Sequence, residues 1–172
     1  KRGAFHVELP MTEKLILSFH THTSEAWEAM LKDCEKAESS IDMEEFVFEP
    51  DPIGERFTNV FCERAKAGVK VRLLLDWWGC KKLIGSKLHK KLVNCGVEVR
   101  FFRPPSWRWL LKSPRFFPRD HRKIFIVDDK IAYTGGVCVK YSYENWRDTM
   151  VKVQGTLVEQ LKHVFKQTWL KT

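Results

Sequence analysis

Residues 118–136 read PRDHRKIFIVDDKIAYTGG and predict a β-hairpin with polar residues at its open end. The apolar run at 124–127 is typical of a buried strand, and the run at 131–134 is typical of the strand that returns beside it. Between them, Asp129 and Lys130 have the composition of a two-residue turn. We therefore expect an antiparallel strand pair here, with the rest of the fold arranged around it.

The predicted turn fixes which residues lie opposite each other in the hairpin. A two-residue loop places Lys123 opposite Gly136 and His121 opposite Cys138. The glycine pair, Gly135 and Gly136, then lies beside the two polar side chains. Glycines in such a position leave room for a substrate to approach the backbone, so we interpret this end of the hairpin as a candidate site.

The spacing of the polar residues suggests their roles. Side chains alternate along a strand, so His121 and Lys123 share one face, whereas Asp128 points the other way or ends the strand. Imidazole acts as a nucleophile or proton carrier and an ammonium group neutralises phosphoryl oxygens, so this pair favours phosphate chemistry. Downstream, Asp148 in the sequence WRDT supplies a carboxylate that would hold a nucleophilic imidazole in the right tautomer.

Four elements of the sequence together resemble the signature of the phospholipase D superfamily. They agree with the HxKxxxxD motif and its downstream elements in identity and spacing, and they are HRK at 121–123, Asp128, the glycines at 135–136 and WRDT at 146–149. The pattern is most similar to the cardiolipin synthase branch, and the similarity extends more weakly from about residue 25 onward. The resemblance implies a phospholipase D-like α/β sandwich and a reaction that needs neither a metal nor a cofactor.

The resemblance also implies a role for each element of the motif. His121 would attack phosphorus to give a phosphohistidine, and Lys123 would bind the phosphate. Asp148 would orient His121, and Asp128 would be the supporting acid of the motif. The expected substrate-binding residues are Gly135, Gly136, Cys138, Arg122 and Trp77.

Two departures from the family pattern concern the phosphate site and the number of motifs. The family usually has Asn or another small polar residue where this chain has Cys138. A thiol is a weak donor, so either phosphate binding is weaker or another group substitutes. The family site also combines two motifs, because one histidine attacks while a second protonates the leaving alkoxide. This chain has one, so we expect the other from an identical protomer or from a carboxyl-terminal half absent from this sequence, and we favour the latter.

Length and charge indicate one globular domain, residues 1–172, that binds an anion. With 172 residues and 44% hydrophobic content, the chain is large enough for its own core. Its formal net charge is +8 at pH 7, and seven basic residues against one acidic residue lie between positions 103 and 123. Positive charge around the candidate site favours an anionic phospholipid or a nucleic acid as the substrate.

The five cysteines and the apolar runs suggest where the protein works. The odd number of cysteines and the lack of CxxC spacing argue against a disulfide framework or a zinc module, so we expect free buried thiols in a reducing compartment. No run approaches the ~20 apolar residues of a spanning helix. We expect a peripheral protein on the cytoplasmic face of a membrane. An upstream anchor is compatible with a sequence that starts at Lys1 rather than Met.

Apolar periodicity predicts helices that alternate with strands. The helices are expected at about 23–39, 52–67, 83–95 and 155–170. Besides the hairpin, strands are expected at 41–48, 69–76 and 97–102, with short edge strands near Val7 and Leu9 and at 15–17. This alternation implies an α/β sandwich around a mixed, mostly parallel sheet flanked by helices, with the hairpin as its antiparallel component.

A basic aromatic loop, residues 104–119, leads into the motif. Its expected membrane contacts are Trp107, Arg108, Trp109 and Phe116. Aromatic side chains that enter the headgroup region beside basic residues that meet anionic lipid favour membrane contact over a loop merely folded across the core. The same aromatic side chains would stack on bases if the substrate were nucleic acid.

Two further groups of residues have competing interpretations. Trp77 and Trp78 follow a buried strand at the edge where open α/β sheets bind ligands, so Trp77 either lines a cleft or packs under a loop. Glu44, Glu45 and Glu49 lie in or after a predicted strand, and we interpret them as solvated or linked to the basic tract rather than as catalytic.

The sequence therefore predicts a phosphodiesterase or phosphatidyltransferase that acts on phospholipids and resembles one half of a cardiolipin synthase. The main alternative is a homodimeric single-motif nuclease that cleaves DNA or RNA. A second alternative is a catalytically weak module that binds lipid or nucleic acid. WRDT and the basic aromatic loop favour lipid, whereas a linear salt dependence of polynucleotide binding would favour the nuclease.

Overall fold

The computed structural model describes residues 14–104 and 119–172, which form one seven-stranded sheet with helices on both faces. The strands are β1 (Ile16–His20), β2 (Ser40–Glu45), β3 (Lys70–Asp76), β4 (Glu98–Phe102), β5 (Ile124–Val127), β6 (Ile131–Gly135) and β7 (Met150–Gln154). The helices are α1 (Thr23–Glu35), α2 (Pro52–Lys66), α3 (Lys87–Asn94) and α4 (Leu157–Lys171), with a 3-10 helix at Tyr141–Tyr143. The predicted α/β sandwich is confirmed, and the expected edge strands near Val7 and Leu9 lie outside the described residues.

The sheet has the strand order β1-β7-β6-β5-β2-β3-β4 and is mostly antiparallel. Two pairs, β2–β3 and β3–β4, are parallel and are joined by crossovers through α2 and α3. The prediction of a mostly parallel sheet is wrong, because β5 pairs antiparallel with β2, and β6, β7 and β1 continue in the same manner. Strand β7 was outside the predicted set, since five residues give too few alternations for a clear pattern.

Each face of the sheet has its own apolar core. The larger core lies between the sheet and helices α1, α2 and α3, and the smaller core lies under α4. Alternate residues of β5 belong to different cores: Phe125 and Val127 to the larger one, Ile124 and Ile126 to the smaller one. The polar residues just before β5 continue this alternation, which decides the side of the sheet that each one faces.

The hairpin of β5 and β6 has a three-residue loop instead of the predicted two. Ile124 pairs with Thr134 and Val127 with Ile131, so Asp128 belongs to the loop. Asp128 and Asp129 both adopt left-handed backbone conformations, with φ values of 54° and 56°. Aspartate tolerates this region better than most residues. Every cross-strand pair is therefore shifted by one residue from the expected register.

A disulfide joins α2 to the end of α3. Cys62 and Cys95 have Cα atoms 5.4 Å apart and are bonded, whereas Cys34, Cys80 and Cys138 are free and buried. The expectation that all cysteines are free is wrong for this pair, because the two helices pack side by side and bring together residues separated by 33 positions. Among the helices of the described residues, none is both long enough and apolar enough to span a bilayer.

Candidate functional site

The motif lies at the end of the sheet where strands β2, β3 and β4 terminate and β5 begins. Glu45 at the end of β2 is paired with Leu75 of β3, and Glu44 is paired with Ile124, the first residue of β5. Parallel strands that end together beside the start of an antiparallel strand gather their flanking loops at one edge. The segments that contain Phe46, Trp77 and His121 consequently meet there.

His121 and Lys123 both contact the ring of Phe46. The His121 ring lies 4.5 Å from that of Phe46, centroid to centroid, and is solvent-exposed. The ammonium group of Lys123 lies 5.3 Å from the same centroid and donates a hydrogen bond to the backbone oxygen of His121, 3.0 Å away. Lys123 is only 4% exposed. An accessible imidazole and a buried cation thus share the ring of Phe46, and the backbone of His121 accepts a hydrogen bond from that cation.

The glycine pair accommodates the chain's own residues. A Cβ atom on Gly136 would lie 2.2 Å from Oδ1 of Asp148, and one on Gly135 would lie 2.1 Å from the backbone oxygen of Thr149. The expectation that these glycines leave room for a substrate is therefore not met, because Asp148 and Thr149 fill that space. Oδ1 of Asp148 accepts a hydrogen bond from the N–H of Thr149 at 2.7 Å.

Asp148 therefore lies beside Gly136, at the end of the sheet that carries the motif. In the described part of the chain no hydrogen bond connects its carboxylate to His121, and the imidazole of His121 contacts the ring of Phe46. The structure therefore brings the expected orienting carboxylate to the glycine pair of the motif and leaves the imidazole exposed beside it.

Cys138 and Glu45 are both buried next to Lys123. Sγ of Cys138 donates to the backbone oxygen of Gly136 at 3.8 Å, and burial raises the pKa of the thiol, with the nearby Glu45 carboxyl group acting in the same direction. The indole N–H of Trp27 fixes the backbone of Cys138 by donating to its oxygen at 3.0 Å. Glu45 is buried rather than solvated, in contrast to one of the two expectations for this residue. Cys138 is held as a core residue that borders the site.

Arg122, between His121 and Lys123, faces the opposite side of the sheet. Its guanidinium group donates to both oxygens of Asp120 (2.9 and 3.0 Å) and to the hydroxyl of Thr168 on α4 (2.9 Å). Its Nη2 also lies 2.8 Å from Oε1 of Glu44. The expected role of Arg122 in substrate binding has no geometric support, because the side chain is engaged under α4 and not on the face of His121.

The two carboxyl groups around Arg122, those of Glu44 and Asp120, have pKa values shifted in opposite directions. Burial and the neighbouring carboxylate of Asp120 raise the pKa of Glu44 to about 9. Burial acts to raise the pKa of Asp120 as well, but hydrogen bonds from Arg122 and Glu44 hold it below its ordinary value. A neutral Glu44 and an ionised Asp120 therefore balance one guanidinium group. The link expected between Glu44 and the basic tract is present as this contact with Arg122, whereas the ionised partner of the guanidinium group is Asp120, which no sequence signal identified.

Asp76 ties the end of β3 to the motif. Its carboxylate accepts hydrogen bonds from the N–H groups of Trp78 (3.1 Å), Gly79 (2.8 Å) and Asp120 (3.0 Å). Trp77 is half-buried and packs 6.2 Å from the ring of Trp78, centroid to centroid. Both tryptophans follow β3 at the end of the sheet where His121 lies, and the contact with Trp78 is the interaction that the structure shows for Trp77.

Asp128 lies at the other end of β5, away from His121. It accepts hydrogen bonds from the N–H groups of Glu38 (2.9 Å), Ser39 (2.7 Å) and Ser40 (3.0 Å), which connect α1 to β2. Burial opposes ionisation, but these donors lower the pKa of Asp128 below its ordinary value. The acid of the motif therefore holds a chain reversal and has no contact with the candidate site.

The expected membrane contacts fall in the basic aromatic loop. Trp107, Arg108, Trp109 and Phe116 lie outside the described residues. Within 14–104 and 119–172, no three His, Cys, Asp or Glu side chains are arranged to hold a metal ion.

Sequence comparison relates the chain to enzymes about three times its length. Residues 30–169 match the family described as cardiolipin synthase, PLD-like domain. The cardiolipin synthase of Clostridium perfringens is 30% identical over 169 residues, which cover 92% of this chain and 34% of that enzyme. The cardiolipin synthase of Geobacillus kaustophilus is 33% identical over 156 residues, which cover 87% of this chain and 30% of the relative. This chain thus spans about a third of the length of these relatives.

Solved structures share the fold at lower identity. The phospholipase D family member Nuc from Salmonella typhimurium superposes with a TM-score of 0.67 at 20% identity, covering 91% of this chain and 94% of Nuc. NucT from Helicobacter pylori gives a TM-score of 0.67 at 17% identity, covering 91% of this chain and 96% of NucT. Together with the sequence match over residues 30–169, the shared fold shows that this chain belongs to the cardiolipin synthase family of phospholipase D-like domains.

Proposed function

We propose that this chain is one half-site of a phospholipase D-type phosphatidyltransferase that acts on phospholipids through a phosphohistidine. The observation that carries the proposal is that the exposed imidazole of His121 and the buried ammonium of Lys123 both contact the ring of Phe46 at the end of the sheet. A nucleophile beside a fixed cation suits attack on a phosphodiester, whose developing negative charge the cation stabilises. Membership of the cardiolipin synthase family supports the same chemistry.

The reaction would proceed in two displacements at phosphorus. A ring nitrogen of His121 forms a bond to phosphorus while the bond from phosphorus to the leaving alcohol oxygen breaks. The leaving oxygen takes a proton from an acid, and Lys123 neutralises the phosphoryl oxygens. A second alcohol then gives its proton to the same acid, now acting as base, and displaces His121. If water replaces that alcohol, the outcome is hydrolysis.

The acid must be supplied by a second motif. Attack requires a neutral imidazole and protonation of the leaving group requires a charged one, so a single His121 cannot do both at once. Relatives about three times as long as this chain support a second half-site in a longer polypeptide. Two copies of this chain related by a two-fold axis are the other arrangement that would supply it.

The proposed substrate is an anionic phospholipid at a membrane surface. A formal net charge of +8 favours an anionic partner, and the relatives that are 30–33% identical are cardiolipin synthases. We propose peripheral attachment to the bilayer. The Cys62–Cys95 disulfide is typical of an oxidising compartment, so it does not support the expected cytoplasmic location. DNA or RNA as the substrate of a homodimer is the alternative that the experiment must separate.

The test measures products from two substrates with matched histidine variants. The chain is incubated, in the presence of a chelator, with phosphatidylglycerol vesicles and separately with DNA, over a dilution series whose molecular mass is followed by light scattering. We expect the monomer to be inactive; lipid turnover, if two copies of this chain complete the site, should increase with the dimer fraction, be lost in His121→Asn and be retained in the exposed-surface control His163→Asn. DNA cleavage without lipid turnover would replace the proposal with the nuclease, and activity constant through dissociation to monomers would overturn the composite site.

A further inference from the structure

Glu45 is a buried carboxyl group beside Lys123, and the proposed reaction gives it no part. Only 3% of its surface is exposed. Because Glu44 pairs with Ile124, the antiparallel register carries Glu45 to the position next to Lys123 on the adjacent strand. Its Oε1 accepts hydrogen bonds from the N–H groups of Phe46 (2.8 Å) and Val47 (3.4 Å), which fix the carboxyl group at the end of β2.

The groups packed around Glu45 include one cation. Lys123 directly precedes β5, and the thiol of Cys138, from the segment after β6, acts to lower the pKa of the carboxyl group. From the turn after β3, Sγ of Cys80 lies 4.0 Å from the backbone oxygen of Glu45, with Asp76 beyond it. Burial raises the pKa of both thiols, so they are neutral. Among the described residues, Lys123 is therefore the positive charge that acts on Glu45.

Burial decides the protonation state of Glu45. It raises the pKa of the carboxyl group to about 8, against the opposing effects of Lys123, the two N–H groups and the Cys138 thiol. Below that pH the neutral carboxyl group leaves the charge of Lys123 uncompensated. Above it the carboxylate and the ammonium form a neutral pair, and the attraction for an anion weakens.

We propose that Glu45 is a positioning residue that controls how much positive charge Lys123 presents to a bound phosphodiester. It does so together with Cys138, which stands where the family usually has a small polar residue. The inference rests on the proposed function, since it requires Lys123 to bind phosphate.

The experiment measures anion affinity against pH with a ligand of constant charge. Glycerophosphoglycerol, the headgroup of phosphatidylglycerol without acyl chains, is titrated into the full chain by calorimetry between pH 7.5 and 9.5. We expect wild-type affinity to fall about tenfold over this range as Glu45 ionises. Glu45→Gln keeps a polar group of the same shape and should bind equally well at both pH values. Glu49→Gln, which changes a nearby carboxylate paired with Lys82 and Lys140, should keep the wild-type profile.

The outcomes distinguish the proposed function, which needs phosphate binding by Lys123, from the proposed role of Glu45. Lys123→Met should abolish binding at every pH, and unchanged binding in this variant would overturn the phosphate site on which the proposed function depends. A wild-type affinity that does not change with pH, or the same decline in Glu45→Gln, would overturn the role of Glu45 alone. If Glu45→Gln does not fold, infrared titration of Glu44→Gln decides, because this variant removes the signal of the neighbouring protonated Glu44, and the remaining protonated-carboxyl band must disappear with the same midpoint as the affinity. Absence of any binding overturns both.

Discussion

Replacement of Asp128 should lower stability without altering the chemistry of the site. Asp128 accepts hydrogen bonds from three successive backbone N–H groups, those of Glu38, Ser39 and Ser40, and from the Ser39 hydroxyl. At about 1 kcal/mol net for each N–H group, loss of the carboxylate in Asp128→Ala costs about 3 kcal/mol. The left-handed backbone at this position disfavours alanine further. In Asp128→Asn the conformation is tolerated and one acceptor oxygen remains, so we expect about half that loss.

The next residue supplies a matched control. Asp129 has nearly the same backbone conformation, with φ of 56° against 54° for Asp128, but its carboxylate makes a surface ion pair with Lys162 at 2.8 Å. Exposed pairs of this kind contribute about 0.5 kcal/mol. Asp129→Asn should therefore be close to wild type in urea unfolding at pH 7, while Asp128→Asn unfolds at clearly lower urea concentration.

The pH dependence gives a second, independent check on Asp128. Its pKa is lower in the folded chain than in the unfolded chain, so its contribution to stability is complete above the unfolded value and is lost as pH falls through the folded value. The stability difference between wild type and Asp128→Asn should accordingly shrink in acid. Equal costs for the two aspartates, or a large loss of turnover in Asp128→Asn with unchanged stability, would refute the structural role.

Three other substitutions test the remaining contacts of the site edge. Arg122→Lys removes the bidentate hydrogen bond to Asp120 and should lower the free energy of unfolding in urea by about 2 kcal/mol. The control is an Arg→Lys substitution at an exposed arginine far from the site. Gly136→Ala places a Cβ atom 2.2 Å from Asp148 and should reduce turnover at least tenfold, whereas a normal rate would show that Asp148 is free to move. Glu44 keeps its proton in the folded chain up to a pKa of about 9, so the free energy of unfolding should decrease as pH rises from about 5 towards 9. This pH dependence should be weaker in Glu44→Gln. An equal slope in wild type and variant would contradict the raised pKa of Glu44.

The features predicted correctly from the sequence depend on local periodicity. The placement of His121 and Lys123 on one face follows from strand alternation, which holds whatever the strand pairs with. The shift of the hairpin by one residue left that inference intact but changed every cross-strand neighbour, since register depends on loop length and on the left-handed conformation of Asp128. Inferences about what lies opposite a residue are therefore weaker than inferences about which face it shares.

The features that were missed depend on contacts between distant segments. Cys62 and Cys95 are bonded because α2 and α3 pack together, and nothing in their spacing of 33 residues indicates it. Glu45 and Cys138 lie close together because the segment after β2 pairs with the segment after β6, where Phe48 and Val139 form an isolated parallel bridge that no local pattern predicts. The composition around Glu45 suggested a solvated strand edge, and burial by residues nearly a hundred positions away reversed that interpretation.

The alternation within His121, Arg122 and Lys123 divides the motif between chemistry and folding. Because neighbouring residues of an extended chain face opposite sides of a sheet, a motif that places two reactive groups on one side must place its middle residue on the other. Here that middle residue binds Asp120 and Thr168, and so fixes α4 against the start of β5. The backbone oxygen of His121 also accepts a hydrogen bond from the Lys123 ammonium group. The segment that packs against α4 is therefore the same segment that positions the nucleophile. Stability contributed by Arg122 and geometry at His121 are therefore coupled, and substitutions under α4 should alter turnover through the position of the imidazole even though they touch no substrate.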